Sequence, residues 1–110
     1  MNILDKMAEI LKDDTIKLGY LPDTPDDVTA VFEYQGGQPY HSFGNTDFTE
    51  NIQIRTRGAN SYSKAREIAN ILDNYADEDT SIIQTSPIFD IGRDSHERQE
   101  YTVNFTVYRR

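Results

Sequence analysis

The sequence predicts an α+β domain: an antiparallel or mixed β-sheet of about four strands with two helices packed on one face, in the order α-β-β-α-β-β. Two stretches carry apolar residues at helical spacing, and the stretches around them alternate apolar with polar residues as strands do. The later strands are joined by short connections, which favours antiparallel pairing. At 110 residues the chain is expected to form a single domain over 1–110 around one core.

The first helix rests on "NILDKMAEILKDD", where Ile3, Leu4, Met7, Ile10 and Leu11 share one stripe. Asn2 is placed to cap it, with Asp5 at the capping-box position. Asp13 and Asp14 lie badly against the negative end of the helix dipole, so the helix is expected to stop there. "TIKLGYL" reads either as a small strand or as extended coil. In "VTAVFEYQ", Val28, Ala30, Phe32 and Tyr34 alternate with Thr29, Val31, Glu33 and Gln35, and Gly36-Gly37 end that strand. The polar stretch "GGQPYHSFGNTDFTE" carries Tyr40, Phe43 and Phe48 and is long for a loop inside a domain; such loops tend to be functional.

"NIQIRTRG" turns Ile52, Ile54 and Thr56 one way and Gln53, Arg55 and Arg57 the other, a strand with a basic outer face. The second helix follows in "NSYSKAREIANILDNYA", with Ala65, Ile68, Ala69, Leu72 and Ala76 on its stripe and Ser61 or Ser63 as N-cap. "SIIQTSPIFDIG" is extended and broken at Ser86-Pro87, where proline forces an edge, a bulge or a strand change. "RDSHERQE" reads as a charged hairpin turn. The closing strand, "YTVNFTVYRR", alternates Tyr101, Val103, Phe105 and Val107 with Thr102, Asn104, Thr106 and Tyr108, the first set facing the helices.

Composition removes several function classes. With no cysteine there is no disulfide framework, thiolate metal site or cysteine nucleophile, and a reducing cytoplasm is the expected place of synthesis. No stretch reaches the roughly 20 apolar residues of a membrane span, and the N-terminus lacks the pattern of a signal peptide, so a soluble protein is expected. The formal net charge of −8 repels phosphate backbones, which makes free DNA or RNA a poor ligand.

Candidate chemistry is sparse. The aspartates of "PDTPDD" lack the alternating ligands, central glycine and closing glutamate of a calcium loop. They read instead as a shaped turn, in which each proline biases its predecessor and Asp26 and Asp27 make local turn bonds. His41 and His96 fall in loops with no supporting nucleophile pattern and read as solvated residues. "QGGQP" and "FDIGRD" match no phosphate-cradle spacing. Arg55 and Arg57 read equally as a solvated face or as forks for a carboxylate at an interface with another acidic copy. In the interface reading, Tyr40, Phe43 and Phe48 of the long loop supply apolar anchors beside the arginines. No metal or cofactor is expected, and no catalytic residue is assigned.

The ordered set "LPDTPDDVTAVFEYQGGQP", "NIQIRTRG", "YSKAREIANILDNY" and "FDIGRDSHERQEYTVNFTVYRR" resembles the small phage proteins often labelled minor capsid proteins, which are related to tail terminators of long-tailed phages. The likeness spans most of the chain. It implies a structural protein of the virion rather than an enzyme: a ring, expected to be a hexamer, that caps the tail tube, stops its growth and presents a surface to the head connector. Implied partners are further copies of the chain, the major tail tube protein and the head-tail connector or stopper protein, without a membrane. DNA would pass through the ring without sticking, and the acidic charge suits such a channel. The implied location is the tail top or neck of the virion, after assembly in the host cytoplasm. On this resemblance the "LPDTPDD" loop, with Asp23, Asp26 and Asp27, becomes a rigid segment exposed at a ring or tube contact. The alternatives are a head-completion or stopper protein of the neck, and a small phage hydrolase or nuclease built around His41 or His96.

Overall fold

The computed structural model of the chain describes residues 2–34 and 48–109. Its elements are α1 (Ile3–Leu11), β1 (Lys17–Leu18), β2 (Val28–Tyr34), β3 (Phe48–Arg57), α2 (Ser61–Leu72), β4 (Thr80–Gln84), β5 (Phe89–Arg93) and β6 (Gln99–Arg109). The expected α+β class, with two helices and a mixed sheet, is what the chain forms. The expected count of about four strands and the order α-β-β-α-β-β are corrected: among the described residues the sheet has six strands, three before and three after α2.

Both extra strands come from stretches where the pattern was too short or interrupted. β1 is only Lys17–Leu18, held in parallel register against Ala30 and Val31 of β2. β4 and β5 are one extended run divided at Ser86-Pro87. They share the same edge of β6, with β4 along its C-terminal half and β5 along its N-terminal half. Proline cannot donate to a ladder, and at the break the Ser86 hydroxyl takes over, accepting from the Asn104 amide at 2.8 Å. The sheet path is β1-β2-β3-β6-β4, with every pairing except β1–β2 antiparallel.

One face of the sheet carries the core. β3 and β6 place Ile52 opposite Phe105 and Ile54 opposite Val103, and β2 adds Val31 opposite Ile54. Ile3, Met7 and Leu11 of α1 and Ile68, Ala69 and Leu72 of α2 pack in the same cluster, so both helices lie on this face. Val103, Phe105 and Val107 are completely buried there, as the alternation of the closing strand requires.

Each helix end has a local cause. The Asn2 side chain accepts from the Asp5 amide at 2.8 Å, and Lys12 in the left-handed region ends α1 with its amide on the Ala8 carbonyl. For α2 the expected serine cap is corrected. Asn60 is the N-cap residue and makes no side-chain cap bond, while Ser61 is already helical and its hydroxyl donates to the Gly58 carbonyl. α2 also ends before Ala76, which bridges to Ser81 instead of extending the apolar stripe.

Candidate interaction site: a clamped acidic loop at the sheet face opposite the helices

The sheet face opposite the helices has no described helix or strand packed upon it. β3 turns Gln53, Arg55 and Arg57 to this side, as the alternation predicts, but the two arginines meet different surroundings. Arg57 is only 5% exposed. Its guanidinium points into the segment before β2, donating through Nη2 to the carbonyls of Pro22 and Pro25 at 2.7 Å each and through Nε to that of Asp26 at 3.1 Å. The expected exposed basic pair is thus corrected: Arg57 is consumed inside the fold, and Arg55 is half-buried. Prolines and a sharp turn leave carbonyls without ladder partners, and a planar fork with several N–H groups satisfies them in one stroke.

A second arginine grips the same loop from outside. Arg98, just before β6, donates to the Asp94 carboxylate at 2.9 Å, to Asp26 at 3.2 Å and to Asp23 at 3.0 Å, and also to the Asp23 carbonyl. Asp94 also accepts from the amides of His96 and Arg98, which tightens the turn between β5 and β6. The Arg98 guanidinium and these amides hold the Asp94 carboxyl down at about 2, and the carboxylates in turn push the Arg98 guanidinium upward.

Asp27 completes the clamp. Its Oδ1 accepts from the Ala59 amide at 2.9 Å, and a β-carbon on Gly58 would lie 1.8 Å from that same oxygen. Gly58 also has a φ of +116°, so glycine is required there for both space and backbone conformation. The expected local turn bonds of Asp26 and Asp27 are therefore corrected to long-range ones. "PDTPDD", "RTRG" and "GRDSHER" form one constellation at one end of the sheet, and the acids are occupied by arginine and amide donors. His96 sits at its rim, with Nε2 3.9 Å from the Asp23 carboxylate.

Arg55 differs from Arg57. It stands over the Phe32 ring at 5.7 Å, donates through Nη2 to Gln53 at 3.3 Å, and its buried Nε has no acceptor among the described residues. Phe48 opens β3 opposite Arg109 rather than belonging to the loop. Tyr40, Phe43 and His41 lie outside the described residues. Reading by segment missed Arg98, Asp94 and Gly58; the Asp94–Arg98 spacing and the conjunction of a Pro-Asp loop with an Arg-x-Arg-Gly strand end were the available signals.

A family model described as bacteriophage tail terminator protein matches residues 6–109. The chain belongs to this tail terminator family. No match is found among curated proteins. Membership makes the chain a structural component of a phage tail, and hence of the virion. The clamped loop gathers several of the landmarks by which the sequence resembles phage proteins of this kind. No described helix is long and apolar enough to cross a membrane.

Proposed function

We propose that the chain is the ring-forming terminator of a phage tail: copies assemble, expected as a hexamer, on the end of the tail tube, arrest its growth and offer their far side to the head connector or stopper. Membership of the tail terminator family supports the reading, and the observation that carries it is Arg55, half-buried on the sheet face opposite the helices and without a carboxylate partner among the described residues. A partly desolvated cation without an anion is costly in isolation and is stabilised by a docking carboxylate. Beside it the clamped loop holds Asp23, Asp26 and Asp27 in a fixed arrangement, and the sequence offers Tyr40, Phe43 and Phe48 as aromatic anchors for a contact with the tube protein or with a neighbouring copy. The net charge of −8 lets DNA pass the ring without adhering. Assembly would take place in the host cytoplasm, with the finished ring at the tail top.

Complementation tests this reading. A lysate lacking its terminator makes overlong tails without heads, and supplying the wild-type chain should restore uniform length and head joining under the electron microscope. Tails that stay overlong would exclude the capping role; tails of normal length even before complementation, lacking only heads, would favour a stopper.

A further inference from the structure

Arg55 is exceptional among the described arginines of β3, β5 and β6 and the turn before β6. Arg93, Arg98 and Arg109 each pair with a carboxylate, and Arg57 is filled by carbonyls. Arg55 has only Gln53 and the Phe32 ring, in a chain where Asp and Glu number 19 against 11 Lys and Arg. The register puts Ile83 of β4, Phe89 of β5 and Tyr108 of β6 on the same face as Arg55, all exposed. This face therefore asks for a carboxylate flanked by apolar side chains.

One exposed flank of α2 has that chemistry: Ile71 is an exposed large apolar residue, and Glu67, one turn before it, has a side chain 61% exposed. Tyr62 is exposed on the opposite flank, where its ring meets that of Tyr101 edge-on at 5.3 Å. Its nearest cation, Lys64, is 3.8 Å away and is held closer by Asp13, at 3.0 Å. Glu67 and Ile71 share a stripe at i,i+4 spacing, and Tyr62 and Arg66 share another on the opposite flank.

We propose that neighbouring copies meet sheet against helix: the sheet face around Arg55 of one copy receives the Glu67 and Ile71 flank of α2 of the next, with Glu67 on the Arg55 guanidinium. The two surfaces lie on opposite sides of the molecule, because α2 packs on the other face of the sheet from Arg55. Such a contact cannot be isologous. It runs head to tail, and it closes into a ring where the rotation between copies completes a full turn without a rise along the axis. The inference rests on the ring reading above and names the surfaces that build the ring.

Charge exchange tests it, with assembly followed by light scattering over a concentration series, free and on isolated tail tubes. Arg55→Glu alone and Glu67→Arg alone should each raise the concentration for half-assembly by about ten-fold or more, and the double variant should return it close to wild type. The chain contains no cysteine. Arg55→Cys combined with Glu67→Cys should therefore give a ladder of covalent multimers on oxidation, a readout that holds even where Arg55→Glu folds poorly. A wild-type chain that never multimerises, free or on tubes, overturns the ring reading itself. A wild type that assembles, with unaffected single variants or no ladder, overturns this contact alone.

Discussion

Arg57 shows how one side chain can change role between sequence and structure. Alternation alone puts it beside Arg55 on a basic face, and its identity as an arginine cannot reveal that three carbonyls of a distant loop converge on it. Only pairing β2 with β3, which sets Val28 opposite Arg57, brings that loop within reach. Arg57→Ala should lower stability by about 2–4 kcal/mol, since it leaves buried carbonyls unpaired, and Arg57→Lys should recover only part of the loss. Denaturant titration measures this; unchanged midpoints would mean that the loop does not depend on the clamp. Asp94 supplies a pH signature. Its carboxyl is depressed to about 2 by Arg98 and by backbone amides, below the ordinary aspartate value near 3.8. A depressed carboxyl contributes stability that is complete above its unfolded value and is lost as pH falls through the folded one. Asp94→Asn should therefore lower the thermal midpoint at pH 7, with the difference from wild type closing between about pH 4 and pH 2. A difference that persisted undiminished at pH 2 would contradict the ion-pair origin.

At the scale of elements, the long periodic stretches were legible and the short or interrupted ones were not. Four apolar positions of α2 and the inner face of β6 follow directly from spacing, because burial on one side imposes the period. β1 escaped because a two-residue strand has no period, and its place is decided by parallel pairing with β2. β2 is buried at its start on both faces, at Val28 and Ala30 as well as Thr29 and Val31, so alternation there could not say which side meets the helices. The inner face of β6 is the firmest prediction. Phe105 is fully buried opposite Ile52 in the central pair of strands, and Phe105→Ala should cost about 3–5 kcal/mol, read as a lowered unfolding midpoint. A midpoint that did not move would mean that this face is not the core.

At the scale of the whole molecule, the chain combines a helix-covered sheet face, an opposite face with no described helix upon it and a loop locked at one end by two arginines. Family-level landmarks in the sequence pointed to the tail terminators, and the family match over residues 6–109 agrees. The candidate site was legible only in outline: its segments could be named from the sequence, but the different surroundings of Arg55 and Arg57 depend on which loop reaches which strand end. Such long-range convergence leaves no periodic trace along the chain. The central claim is that this molecule closes a tail tube by forming a ring upon its end. The most direct measurement is negative-stain imaging of purified tail tubes incubated with the purified chain and then offered fresh tube subunits. A ring of density at one tube end, with elongation arrested at that end, is the predicted result; bare ends that continue to grow in the presence of saturating chain would contradict it.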